Sequence, residues 1–139
     1  MNIVEYGKPI ALETARQVID AAMTEALANN WAMAVAVVDS SAHLVALHRM
    51  DHTQYGSVEI AQAKAKTAVN FKRSTKLFEE AVAAGGIGLR LLSTPGLCPL
   101  EGGIPLVREG KIIGAIGVSG ARSDQDGTVA KAAAKVVNG

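Results

Sequence analysis

The chain has 139 residues, of which 49% are hydrophobic, and a formal net charge of +1 at pH 7. This length suits one domain with a buried core, so we predict a single domain over residues 1–139. The near-neutral charge and the lack of a basic run argue against nucleic-acid binding, and no apolar run reaches the ~18 residues that a membrane-spanning helix needs.

The first half of the chain alternates between helical and strand patterns. Apolar residues between Ala15 and Leu27 recur at helical spacing, which predicts a helix over about residues 9–29. The continuous apolar run 33–38 predicts a strand buried on both faces, and residues 43–50 predict a second strand. Because their connection is short, we expect the two strands to form an antiparallel hairpin.

The second half begins with two predicted helices, over residues 57–71 and from a cap at Ser74 or Thr75 to residue 84. Residues 87–103 are irregular and apolar, with room for a short strand between 87 and 93, and a loop of this length is usually functional. Two strands, 104–107 and 111–118, flank a tight turn, and Ser123 or Asp124 caps a last helix. This order predicts an α/β fold in which helices pack against a mainly antiparallel sheet.

Several charged residues could form one pocket for an anionic ligand. Arg49 and Asp51 leave the second strand on one face. Lys64 lies on an otherwise apolar helical face, so it needs an anionic partner, for which Asp51, Glu101 and a ligand carboxylate are the candidates. Two glycines in a row at 102–103 let backbone N–H groups approach a ligand oxygen. The alternative is that Arg49 and Asp51 form a surface ion pair and that Lys64 extends to solvent or pairs internally.

Other reactive residues give weaker patterns. The glycine-rich strand 114–120 has neither dinucleotide nor P-loop spacing, which leaves close helix packing or a ligand wall, with Ser119 as a hydrogen-bond donor to the ligand. His43 and His48 fall on opposite faces of one strand, so we predict no protein metal site. Cys98 lies in an apolar loop, where burial would raise its pKa, so we expect that it is not an essential nucleophile.

The only cysteine cannot form an internal disulfide, and residues 1–6 lack the pattern of a signal peptide. We therefore expect a cytoplasmic protein. The abundance of alanine and glycine, with few charges to keep apolar stripes apart, also predicts a homo-oligomer of at least two copies.

Five segments recur in an order that is characteristic of one family. They are residues 37–39, 44–51, 60–68, 102–106 and 113–120, and Gln125-Asp126 follows them. Over residues 8–137 the chain resembles the GlcG/HbpS-like family, also called the haem-degrading or PduO C-terminal-like domain. One departure is the first hairpin turn, where Ser40-Ser41-Ala42 replaces the usual glycines.

The resemblance implies a profilin-like α/β fold with a central antiparallel sheet, and assembly into dimers, larger rings or octamers. It also implies binding of haem or of a corrinoid such as cobalamin, with Thr94, Cys98 and His48 as candidate axial ligands. It does not imply one settled reaction for the family.

Two functions therefore stay open, beside an accessory role without chemistry. One is a module that binds a planar tetrapyrrole at the apolar loop 87–103. The other is a catabolic isomerase, hydrolase or decarboxylase that acts on a small carboxylate. Its catalytic residues would be Arg49, Asp51, Lys64 and Glu101, and the ligand-binding candidates for either function are Arg49, Lys64, Gly102, Gly103, Ser119 and Thr94.

Overall fold

The computed structural model describes residues 3–139. Within them lie four α-helices and five strands. The helices are α1 (Leu12–Ala28), α2 (Gly56–Asn70), α3 (Thr75–Ala83) and α4 (Ser123–Asn138). The strands are β1 (Glu5–Tyr6), β2 (Ala34–Asp39), β3 (Leu44–Arg49), β4 (Gly103–Arg108) and β5 (Lys111–Ser119). No helix of the described part is long and apolar enough to cross a membrane.

The strands form one sheet with β2 and β5 at its centre. Antiparallel pairing joins β2 to β3, β2 to β5, and β5 to β4. The short strand β1 runs parallel to the start of β5, with Glu5 opposite Lys111. The predicted α/β fold with a mainly antiparallel sheet and helices packed against it is confirmed.

Helices cover both faces of the central strands, which explains why their sequences are apolar throughout. On one face, Val35 and Val37 of β2 join Ile116 and Val118 of β5 in a core with α1 and α4. On the other face, the side chains of β2 and β5 are small, and α2 packs against them through Ala61 and Ala65. A Cβ atom at Gly117 would collide with the backbone of Ala61, so only glycine lets α2 lie this close. This close packing fixes the height of α2 above the sheet.

Three local predictions need correction. Residues 87–93 are not a strand but part of a 3₁₀ helix, Gly86–Ser93, because Gly88 packs against the carbonyl of Ala81 in α3. The N-cap of α4 is Arg122 rather than Ser123 or Asp124, and its N–H donates to the side chain of Gln125. Strand β1 was not predicted, since a strand of two residues has no periodicity. Ser74 is the N-cap of α3, as expected, and accepts the N–H of Lys76.

Candidate functional site

Lys64 lies at the centre of α2 and is 1% exposed. Its Nζ donates to the Asp126 carboxylate at 2.9 Å and to the Val118 carbonyl at 2.8 Å. The partner is thus a carboxylate of α4 rather than Asp51, Glu101 or a ligand. Burial raises the pKa of Asp126, and the Lys64 ammonium opposes that shift. This buried ion pair joins α2 to the N-terminal turn of α4 and gives Lys64 a structural role in this state of the protein.

The Gly102–Gly103 backbone contacts Lys64, and the Gly103 N–H is not free for a ligand as the sequence suggested. Gly102 has a φ of +133°, and a Cβ atom there would lie 2.9 Å from the Lys64 Nζ. The Gly103 N–H instead donates to the Thr75 hydroxyl at 2.8 Å. A buried N–H group needs an acceptor, and Thr75 of α3 provides one for Gly103. Both glycines therefore serve close packing around Lys64.

A second threonine of α2 holds the segment that contains Cys98. The Thr67 hydroxyl accepts the Cys98 N–H at 3.0 Å and donates to the Ala63 carbonyl at 2.7 Å. Cys98 is 9% exposed, and burial raises the pKa of its thiol despite the opposing charge of Lys64. The thiol is therefore neutral at pH 7. Beside it, a cavity of about 300 Å³ opens between α2 and residues 96–98, with Gln62 and Lys66 among its lining residues.

The 3₁₀ helix exposes apolar side chains to solvent. Side chains three residues apart eclipse one another in such a helix. Gly88 and Leu91 form the row that faces the protein, and Thr94 continues this row. The Thr94 hydroxyl donates to the Arg90 carbonyl. Leu89 and Leu92 form an outward row and are 51% and 64% exposed. With Ile87 and Leu100, which are also exposed, they form what we call the apolar surface.

Arg49 and Asp51 line a separate cavity of about 560 Å³, together with residues 52–55. Arg49 lies opposite Ala34 in the sheet, on the face that α2 covers, and its guanidinium lies 5.5 Å from the centre of the Tyr55 ring. Lys64, Glu101 and the two glycines do not line this cavity. The structure thus brings Arg49 together with Asp51, and Lys64 together with Gly102 and Gly103, but it does not form the single pocket predicted from the sequence.

The remaining candidate residues lie elsewhere. Glu101 lines another cavity of about 370 Å³, beside Lys76 and against Gly127, and burial raises its pKa while the charge of Lys76 opposes the shift. Ser119 is 6% exposed, and its hydroxyl donates to that of Ser57. Among residues 3–139, no three His, Cys, Asp or Glu side chains lie close enough together to hold a metal ion.

His48 lies on the opposite side of the sheet from α2. It pairs with Val35, whose side chain faces α1, and its Nδ1 lies 3.4 Å from the sulfur of Met23. Of the three candidate axial ligands, Thr94 and Cys98 follow the apolar 3₁₀ helix directly in the chain, whereas His48 lies on the side of the sheet away from α2.

Known proteins are similar to this chain in sequence. GlcG of Escherichia coli K12 is 44% identical over 110 residues, which cover 79% of this chain and 81% of GlcG. The corrinoid adenosyltransferase PduO of Citrobacter freundii is 29% identical over 96% of this chain, but the match covers only 41% of PduO. The chain is therefore comparable with less than half of that enzyme.

Solved structures confirm the predicted fold. The Klebsiella pneumoniae protein ORFY superposes with a TM-score of 0.86 at 31% identity, over 99% of this chain and 96% of ORFY. A complex of PduOC with haem superposes with a TM-score of 0.83 at 28% identity, over 94% and 96% of the two chains. The family model described as haem-degrading protein HbpS-like matches residues 10–135. This chain therefore belongs to the HbpS-like family.

Proposed function

We propose that this chain binds a planar tetrapyrrole, haem or a corrinoid, at the apolar surface. The observation that carries the proposal is the exposure of that surface, where Ile87 is 75% and Leu92 64% exposed. Neighbouring apolar side chains that face water are typical of a surface that a ligand or a partner covers. PduOC, solved with haem, and PduO, named for its corrinoid substrate, support a tetrapyrrole as the ligand.

The residues around this surface fit such a ligand. Leu89 and Leu92 would pack against the macrocycle, and the exposed cations Arg90 and Lys66 would pair with the propionates of haem. The Thr94 hydroxyl donates its proton to the backbone carbonyl of Arg90, which leaves the lone pairs of the hydroxyl oxygen free to coordinate a metal. The neutral thiol of Cys98 is a weak ligand by comparison. A bound haem would supply a redox-active iron.

We expect titration with hemin to give a saturable Soret band near one haem per chain. In the Leu89→Asp, Leu92→Asp double variant, affinity should fall at least ~10-fold, because two apolar contacts are lost and two anions are added. Both side chains are exposed, so folding should be unaffected. Leu27→Asp is the matched control, since Leu27 of α1 is 63% exposed and distant in sequence from the apolar surface. Equal affinity of the two variants would contradict the proposal.

The same titration distinguishes the candidate axial ligands. Thr94→Ala should shift the Soret maximum, whereas Cys98→Ser and His48→Gln should leave it in place, because the thiol is neutral and His48 faces α1. If Cys98→Ser folds normally but no longer binds hemin, Cys98 has the role that we assign to Thr94.

We also propose that the chain assembles into at least a dimer. The outer edge of β3 pairs with no strand among residues 3–139, and Leu44 of this strand is 46% exposed. An open sheet edge can pair with a strand of another chain, and the exposed Leu44 adds apolar area to such an interface. Light scattering at micromolar concentration should give a multiple of the chain mass of 14.4 kDa. A mass near that of one chain would show that the edge stays open.

A further inference from the structure

We propose that the cavity lined by Arg49 and residues 51–55 is a second binding site, which takes the carboxylate of a monoanionic ligand. It shares no lining residue with the cavity beside Cys98. The proposal does not depend on tetrapyrrole binding, because it rests on the side chains that line this cavity.

The first observation is a buried hydroxyl without a partner. Thr53 is 6% exposed, and its Oγ1 forms no hydrogen bond with any residue of the described chain. Its backbone N–H, by contrast, donates to the Met50 carbonyl at 3.2 Å. Buried hydroxyls nearly always have a partner, and this one belongs to a residue that lines the cavity. The Oγ1 is shielded from solvent in this conformer, so an acceptor oxygen of a ligand would satisfy it after rotation about χ1 turns the hydroxyl toward the cavity.

The second observation is a cation without a counterion. Arg49 makes no ion pair with the residues that the structure describes, and its guanidinium lies instead beside the ring of Tyr55. Tyr55 is 82% exposed, so this contact restrains the guanidinium at the solvent boundary without burying it. A planar guanidinium offers two parallel N–H donors, which match the two oxygens of a carboxylate.

The third observation is the position of α2. This helix begins at Gly56, directly after the cavity-lining residues, and its N-cap Tyr55 provides no side-chain hydrogen bond. The N–H groups of Ser57 and Val58 donate to the Gln54 and Tyr55 carbonyls, so the start of α2 attracts an anion through the positive end of its dipole rather than through free donors. Gln54 and Ser119 both donate to the Ser57 hydroxyl, which holds the first turn of α2 in place below the cavity.

The charges around the cavity favour a monoanion. Arg49 supplies one full positive charge, whereas Asp51 in the same lining supplies a negative one. A phosphate dianion would therefore be repelled by Asp51 more strongly than a carboxylate. The carboxylate has two chemical sources, a free small acid or the propionate of a larger ligand such as haem.

Titrations of the ligand-free protein with benzoate, benzamide and inorganic phosphate test the site, with the threonine methyl groups followed by NMR. Benzoate should shift the Thr53 methyl resonance saturably, while its neutral analogue benzamide should not. Arg49→Met should weaken benzoate binding at least ~10-fold, and Thr53→Val should weaken it several-fold without lowering the melting temperature. The matched control is Arg73→Met, because the Arg73 guanidinium also lies 5.6 Å from an aromatic ring, that of Phe78.

A parallel titration with hemin and with its dimethyl ester identifies the source of the carboxylate. If the site holds a propionate, Arg49→Met weakens hemin binding but not binding of the ester, even where benzoate causes no shift. A benzoate shift that depends on Arg49 supports a free acid, whether or not hemin binds. The proposal is overturned if neither ligand is sensitive to Arg49→Met beyond the Arg73→Met control, or if phosphate binds more tightly than benzoate.

Discussion

Replacement of Lys64 by methionine is expected to lower the free energy of unfolding by about 3–5 kcal/mol. The variant removes the one ammonium that contacts the Asp126 carboxylate within residues 3–139, and Asp126 is 2% exposed. One hydrogen bond to that carboxylate remains, from the Ala121 N–H at 3.0 Å. A buried charge with so little compensation is costly, whereas methionine itself fits the apolar surroundings of the lysine stem. Urea denaturation, monitored through Trp31, measures the loss.

Two further variants distinguish a lost ion pair from a lost side chain. Lys64→Met combined with Asp126→Leu should recover most of the stability, because no buried charge is left. Lys76→Met is the exposed control, since Lys76 lies 4.0 Å from Glu80 at the surface, and it should change the stability by less than ~1 kcal/mol. A Lys64→Met loss no larger than that of Lys76→Met, or a double variant less stable than either single variant, would show that the pair does not couple α2 to α4.

The pH dependence of this loss has a definite sign. Burial raises the pKa of Asp126 in the folded protein above its unfolded value. At a pH between the unfolded and the folded pKa, Asp126 is protonated in the folded state but not in the unfolded state. The contribution of Asp126 to the free energy of unfolding therefore becomes more favourable as the pH falls through the folded pKa. Methionine at position 64 removes the opposing charge and raises that pKa further. The deficit of Lys64→Met should therefore be larger at pH 8 than at pH 5.

Lys64 illustrates how far the sequence alone could lead. A lysine on an apolar helical face predicts an anionic partner, and the structure has one. The identity of that partner was not predictable, because Asp126 is 62 residues away from Lys64. Asp126 also lies in the first turn of a helix, where acidic residues are common because the helix dipole favours them. The same limit applies to the pocket. Each charged residue was recognised, but which of them meet depends on the register of β3 and on the height of α2.

For the cavity around Arg49, the sequence showed which residues lie together but not that they form a site. Residues 49–55 are contiguous, so their proximity was visible in the sequence, yet polar residues between a strand and a helix are typical of an ordinary turn. What distinguishes them is the unpaired hydroxyl of Thr53 and the uncapped start of α2, and both depend on burial and on hydrogen bonds. Periodicity and apolar runs, by contrast, predicted α1, α2, α4 and the longer strands correctly, and the cap at Ser74 or Thr75 predicted α3.

Gly117→Ala is expected to destabilise the protein by about 1–3 kcal/mol, although it adds a single methyl group. Gly117 lies in β5 between Ala36 and Gly103, where both neighbouring strands fix its position. The new methyl group would overlap the carbonyl oxygen of Ala61 and approach the Ala65 backbone nitrogen to 2.7 Å. Neither atom can move unless the whole of α2 moves, because both belong to the helix backbone. A shift of α2 would also pull Lys64 away from Asp126.

The matched control is Gly127→Ala in α4. The three atoms nearest to a methyl group there all belong to the side chain of Glu101, which is flexible and can rotate away. Alanine is also favoured over glycine inside a helix by about 0.8–1.0 kcal/mol, so this variant should be as stable as the parent or more stable. Urea denaturation of both variants gives the comparison. If Gly117→Ala loses no more stability than Gly127→Ala, then α2 is free to move away from the sheet, and glycine at position 117 does not set its height.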